Sequence, residues 1–441
     1  MLIYNSSKNR CLLVCCLLSY SLPVFSQSLP DLVALAVHGH PTVAAANANI
    51  AAAQAEVDTA NWQYYPTASV SVESAYASAS DQDYAGDDLV TRFGVEQPLW
   101  QWGAIDAGVD IAETRVLVEN SRKRQQQWTL AESVIDAYGK WLASYLNMRA
   151  WEAGLEDHEA LLEQVSKRVQ QGVSANIDLA LAQGRVASTE AEYLASKTDL
   201  KTALLELSQL TNTPLLNGDL ADHISSAQEL HVSDSLSSAL AISPKVKLAR
   251  AEVRLAEQQN VLQDASLKPA LYLRAEHQVN SFSTSNAAPQ TRVFVGFSGS
   301  SGAGLSWQSK QRENTALLQA KQATLHAEQQ ATKQALENLE INAESVALRL
   351  ESLHMATRTT EDVSSSYSRQ FLAGRKSWQE VMNAAREEVQ MQVQISDLEA
   401  AYLVTSWRYS LLTNGLALSV QDVTTEITAE STETASAGSP Q

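Results

Sequence analysis

An internal duplication constrains this chain more than any other feature, because each copy must fold into a unit that the other can pack beside. Pro41 is followed 25 residues later by Pro66, and Pro244 is followed 25 residues later by Pro269; the two pairs are offset by 203 residues. Gly172 recurs as Gly374, and Leu210-Thr211-Asn212 as Leu412-Thr413-Asn414, at an offset of 202. Several matches in consistent order are not chance. The copies are read as residues 27–214 and 236–416, joined by a linker over 215–235. Each copy predicts the same succession: a short helix (42–63 and 245–267), a β-hairpin (66–98 and 269–300), a long helix (104–171 and 310–372) and a return helix (175–212 and 377–413).

The hairpins alternate with period two, the mark of strands with two unlike faces. Val70, Val72 and Tyr76 alternate with Ser69, Ser71 and Glu73; Leu89, Phe93 and Val95 alternate with Arg92, Gly94 and Glu96. In the second copy Leu271, Leu273 and Val279 alternate with Tyr272, Arg274 and Glu276, and Val293, Val295 and Phe297 with Arg292, Phe294 and Gly296. Such a pattern fits a soluble hairpin as well as a lipid-facing barrel. Aromatics at the hairpin bases, Trp62, Tyr64 and Tyr65 before the first strand, Trp100 and Trp102 after the second and Trp307 after the fourth, favour a membrane-interface girdle over a buried aromatic core. Arg92, Glu96, Arg274 and Glu276 would then line a barrel and set its general polarity.

The long helices are expected to be extended rods. Residues 104–171 contain no proline and only three glycines, Gly108, Gly139 and Gly154, and would span roughly 100 Å if straight. Leu336, Leu339, Ala343, Val346, Leu350 and Leu353 have coiled-coil spacing, and Leu179, Val186, Tyr193, Leu200 and Leu207 recur every seven residues, matched by Ile395, Tyr402 and Tyr409. Strict sevens mean helices wrapping around partners for many turns. Four strands cannot close a barrel, and unpaired edges cannot stand in lipid, so a barrel here requires several chains.

The N-terminus reads as a signal peptide over 1–26: Lys8 and Arg10 precede a short apolar run and Val24-Phe25-Ser26. All three cysteines (Cys11, Cys15, Cys16) fall inside it, which excludes disulfides and thiolate metal sites from the remainder. Removing it leaves 30 basic against 50 acidic side chains, a net charge of −20 that argues against nucleic acid as a partner. No later stretch is long and apolar enough for a transmembrane helix. Residues 417–441 are acidic, Ser/Thr-rich and read as disordered. No nucleophile elbow, phosphate-binding loop or paired-carboxylate motif is present; His38-Gly39-His40 lacks a third ligand, so no cofactor, no metal and no enzymatic activity are expected.

In this doubled order of elements the chain resembles the TolC family of outer-membrane efflux and secretion ducts, over nearly its whole length after the signal. Gln97-Pro98-Leu99-Trp100 leads into the first long helix, and the turns Val169-Gln170-Gln171-Gly172 and Phe371-Leu372-Ala373-Gly374 are each followed six residues on by an acid, Asp178 or Glu380. In the second copy Ser298–Gly304 replaces the Pro-Leu-aromatic box, which leaves the junction at 298–310 undefined. The resemblance implies a mainly helical fold: duplicated antiparallel helical hairpins forming a tunnel, and two β-hairpins per chain giving four strands to a twelve-stranded barrel shared by a homotrimer. It implies an outer-membrane location with a large periplasmic part and an equatorial belt from 27–40, 213–240 and the segment after Gly415. The implied partners are a periplasmic adaptor, an inner-membrane transporter and lipid. Adaptor docking is assigned in this way to the tips Gly172, Val173, Ser174, Gly374, Arg375, Lys376 and Ser377, and an entrance constriction to Asp178, Glu380 and Asn383. Asp178 is expected to be able to pair with Arg375 or Lys376 of the neighbouring copy. The rival reading is a soluble periplasmic coiled-coil scaffold without a pore.

Overall fold

The computed structural model describes residues 28–76, 81–84, 86–221, 224–228, 235–299, 303–304 and 306–416, so the segments read as a signal peptide and as a disordered acidic tail lie outside the described residues. Copy one runs α1 (Leu29–Gly39), α2 (Pro41–Asn61), β1 (Thr67–Ser74), β2 (Leu89–Trp100), α3 (Ala104–Gln170) and α4 (Asn176–Thr211). After two short helices, α5 (Asn217–Ala221) and α6 (Ser235–Ile242), copy two repeats the order: α7 (Pro244–Ser266), β3 (Ala270–Val279), β4 (Gln290–Ser298), α8 (Ser306–Leu372) and α9 (Trp378–Asn414). Both α3 and α8 are 67 residues long, roughly 100 Å.

The four strands form one antiparallel sheet in the order β1-β2-β3-β4, which leaves β1 and β4 as open edges. Register decides the faces. Val70 lies opposite Phe93, Phe93 opposite His277, and Leu273 opposite Val295, so the aliphatic side chains of both hairpins share one face. Ser71 opposite Arg92 and Glu96 opposite Arg274 share the other.

Helix α3 is the spine. Its first half packs against α2 and α7, and its second half against α4 and α9, while α8 packs on α7 and then α9. Close approach of α3 to α9 depends on two residues that look in sequence like mere interruptions. A Cβ on Gly139 would collide with Val404, and one on Gly154 would stand 2.5 Å from Val389 Cγ2. Gly139 sits in the main core, where Tyr138 and Trp141 are fully buried with ring centroids 5.2 Å apart.

The segments between the copies wrap this waist. Trp141 Nε1 donates to Asn217 Oδ1 at 2.9 Å, the Ser225 amide donates to the Tyr138 hydroxyl at 3.0 Å, and Trp407 Nε1 donates to the Ser226 carbonyl at 3.0 Å. The Leu29 amide donates to Ser225 Oγ at 2.9 Å, which ties α1 to the same belt. The interval 215–235 is thus not bare linker: it carries a short helix and supplies buried Leu215 and Leu220 to the core.

Two boundaries differ from the expected ones in a physically readable way. Strand β2 runs on through a bulge between Pro98 and Trp100, so Trp100 ends the strand instead of following it. Helix α8 starts at Ser306, so Trp307 occupies its first turn. His40 caps α2, its Nδ1 accepting from the Thr42 amide at 3.3 Å.

Candidate functional site: the sheet faces and the helix tips

At the sheet, the aliphatic face has no cover among the described residues. Val295 is 69% and Phe297 73% exposed, and Val70, Val72 and Val293 are comparably bare. The opposite face carries an ionic network: Arg92 NH1 reaches Glu73 Oε2 at 2.6 Å and its Nε lies 4.0 Å from Glu276 Oε1. A soluble protein would bury the first face and wet the second; a membrane strand exposes both, one to lipid and one to water.

The junction aromatics lie where strands become helices. Trp62 and Tyr65 are in ring contact (5.1 Å), as are Trp100 and Trp102 (6.0 Å), and all four are exposed. Trp102 Nε1 donates to the Pro269 carbonyl at 2.8 Å, joining the base of hairpin one to that of hairpin two. The Tyr64 hydroxyl donates to Asp106 on the first turn of α3. Trp307 stands at the corresponding junction of copy two and makes no ring contact with the others among the described residues.

The two tips fold alike. Gly172 and Gly374 take φ of +75° and +71°, and the amides of Val173 and Arg375 reach back to the carbonyls of Arg168 and Gln370, both at 2.9 Å. This is the glycine-terminated helix end. Ser377 then caps α9: the Glu380 carboxylate accepts from the Ser377 amide at 3.0 Å and from its hydroxyl at 2.9 Å. In copy one the Ala175 amide donates to Asp178 at 3.3 Å, but Ala175 has no side-chain oxygen to reciprocate, and the Asp178 amide donates instead to the Ala175 carbonyl at 3.0 Å. Beneath the turns Val165, Ala182, Phe371, Trp378, Val381 and Met382 form a second buried core that draws both copies together.

Charges at the tip are committed differently from the expected cross-copy pairing. Lys376 Nζ lies 2.6 Å from Glu380 Oε1 and 4.2 Å from the Tyr367 ring centroid. Within a protomer, Asp178 therefore does not pair with Lys376, and neither Asp178 nor Arg375 has an ion-pair partner among the described residues. The Lys376 ammonium and the Ser377 cap hold the Glu380 carboxyl down to about 2. Its contribution is fully present above the ordinary carboxylate range and is lost progressively as pH falls from there through about 2. Asn383, one turn on, lines a small cleft with Leu181, Arg185, Trp378, Gln379 and Met382.

Arg168 is the tip residue that sequence reasoning missed. Its guanidinium stands 4.7 Å from the Phe371 ring centroid, its NH1 donates to the Phe371 carbonyl at 3.3 Å, and its Nε donates to Ser174 Oγ at 3.4 Å. One side chain thus joins both tips across 203 positions, and no local motif announces it. Arg168→Ala is expected to raise amide exchange at 371–378 on the order of ten-fold, read by hydrogen-exchange mass spectrometry.

Higher on the α3/α4 hairpin, His158 is buried with its Nδ1 2.7 Å from Thr189 Oγ1. That hydroxyl donates to the Arg185 carbonyl at 3.1 Å, so Nδ1–H is the donor and the enclosed Nε2 stays unprotonated. Burial pushes the imidazole below its ordinary 6.5. The unfolded chain therefore binds more protons as pH falls below about 6.5, and folding stability declines there. The thermal midpoint of the wild type should drop between pH 7.5 and 5.5, and His158→Leu should flatten that drop.

A family model described as outer membrane efflux protein matches residues 32–213. No curated protein matches the chain in sequence. Among solved structures, the chain is similar to the VceC outer membrane protein of Vibrio cholerae, with a TM-score of 0.72 and 17% identity over 88% of this chain and 95% of that one. It is similar also to the CmeC outer membrane channel of Campylobacter jejuni, with a TM-score of 0.74 and 13% identity over 91% and 88%. The outer-membrane channel OprN gives 0.73 and 18% over 88% and 89%.

Proposed function

We propose that this chain, which has the fold of the outer-membrane channels and whose first copy matches the outer membrane efflux protein model, belongs to that family and is a passive outer-membrane channel, three copies forming one duct of a tripartite export system. The observation that carries this reading is a matched set of unfinished surfaces. The sheet has two open edges and a bare aliphatic face. Helix α8 buries the seam Leu336–Ala343 within the chain but leaves Ile341, Leu348 and Met355, at seven-residue intervals, exposed on a second seam. Edges and seam are both completed if the next copy supplies a strand beside β4 and a helix beside α8.

In the assembled duct the sheets would close a twelve-stranded barrel and the helices a periplasmic tunnel. The tips Gly172-Val173-Ser174 and Gly374-Arg375-Lys376-Ser377 would dock a periplasmic adaptor, which couples the duct to an inner-membrane transporter that supplies the energy. Asp178, Glu380 and Asn383 would ring the tunnel entrance. Trp62, Tyr64, Tyr65, Trp100, Trp102 and Trp307 would sit at the lipid interface. The segments 27–214 and 236–416 would be its two structural repeats. Small-molecule efflux is the cargo class that the family description favours over type I protein secretion.

Once the three leader cysteines are removed, single cysteines can be introduced against a clean background. A cysteine at Val173 or Arg375 is expected to cross-link to a co-expressed adaptor, whereas one at exposed Leu236, on the waist, is not. Equal cross-linking at tip and waist, or none at the tip, would overturn the docking assignment. Deletion should raise sensitivity to small toxic compounds while leaving the secreted proteins unaltered.

A further inference from the structure

Three arginines lie on the charged face of the sheet, and their surroundings differ: Arg292 stands opposite Glu276 and donates to the Gln290 side chain. Arg92 is neutralised by Glu73 and Glu276. Arg274 lies directly opposite Glu96 in register, yet it makes no ion pair among the described residues. Instead its guanidinium stands 5.7 Å from the Tyr272 ring centroid and 5.4 Å from that of Phe294, and its Nε is enclosed without a hydrogen-bond partner. The box is built into the sequence on two strands. Tyr272 can lie across β4 because position 296 is glycine: a Cβ there would stand 2.6 Å from the Tyr272 hydroxyl. Phe294, directly opposite Arg274, keeps 37% of its surface exposed.

Aromatic rings hold a guanidinium in place without consuming its N–H groups, so its fork stays free for an anion. The rings add planar apolar surface beside that fork. A charge-assisted fork next to a π face fits a carboxylate attached to an aromatic ring better than a simple anion or a neutral ring. We propose that Arg274, Tyr272 and Phe294 form a luminal docking point for aromatic carboxylates midway along the strands of the barrel. This rests on the channel reading, since only a closed barrel makes the charged face a lumen. In the duct the point would recur once per copy.

The test uses the purified, assembled protein and two readouts, ionic current across planar bilayers and saturation-transfer NMR in detergent. Benzoate should bind and reduce the current, benzamide should do neither, and acetate should act more weakly. Arg274→Gln should weaken benzoate about ten-fold, the size of a lost charge-assisted contact. Arg274→Lys should fall between, because charge is kept and the fork is lost. Phe294→Leu should bring benzoate down to the level of acetate. If the wild type conducts but benzoate and benzamide act alike, or if Arg274→Gln leaves benzoate unchanged in both readouts, the docking point is wrong and the duct stands. If the assembled protein carries no current, the duct reading itself fails, and this inference with it.

Discussion

Val295→Arg should cut the yield of detergent-resistant oligomer in the outer membrane on the order of ten-fold. Val295 lies midway along β4 on the aliphatic face, opposite Leu273, and nothing among the described residues covers it. If that face meets hydrocarbon, an arginine at mid-depth costs ~2–4 kcal/mol in each copy, and a symmetric assembly incurs that cost in every subunit. The control is Ser71→Glu. It places a charge on the other face, opposite Arg92, where water and a cation already receive Glu73. Fractionation followed by unheated gel electrophoresis reads both variants. A Val295→Arg protein that assembles as well as Ser71→Glu would mean that the bare face is covered by something other than lipid.

Trp141→Ala should be the most destabilising single change in the helical part. Its ring is fully buried, in contact with Tyr138 and stacked on Tyr145 at 5.6 Å, and its indole N–H donates to Asn217. Truncation leaves a cavity at the point where α3 meets the waist segments, at a cost of ~3–5 kcal/mol. The Asn217 carbonyl loses its donor as well. The thermal midpoint by circular dichroism should fall, and the 217–228 region should become the first site of protease cleavage. A midpoint within error of wild type would contradict the reading of this cluster as the main core.

Much of this architecture was legible because it repeats. The proline and glycine offsets locate the copies, the period of two gives each hairpin its faces, and the sevens of α4 and α9 give the direction of their seams. Within α4, however, the most buried positions include Ala182, Thr189, Ser196 and Ala203, small residues that a hydrophobicity pattern passes over. They are buried because α3 comes close, in the same way that Gly139 and Gly154 let α9 come close. The second seam of α8 escaped for the opposite reason: Ile341, Leu348 and Met355 look like part of one broad apolar stripe until the fold shows which side is already occupied.

At the candidate sites, sequence offered residue types but not partners. Lys376 is equally plausible beside Asp178 or Glu380; the i,i+4 spacing along the start of α9 and the Ser377 cap settle it within the chain. Arg168 and Phe371 lie in different copies, and Arg274 reads as one more luminal charge until Phe294 is placed opposite it by strand register. Contacts of this kind depend on tertiary placement, which no local pattern encodes.

The central claim is that this chain is one third of a closed barrel. Native mass spectrometry of the protein extracted from outer membranes tests it most directly. Particles of three copies are the predicted result; a single copy per particle, or recovery of the protein only in the soluble periplasmic fraction, would contradict it.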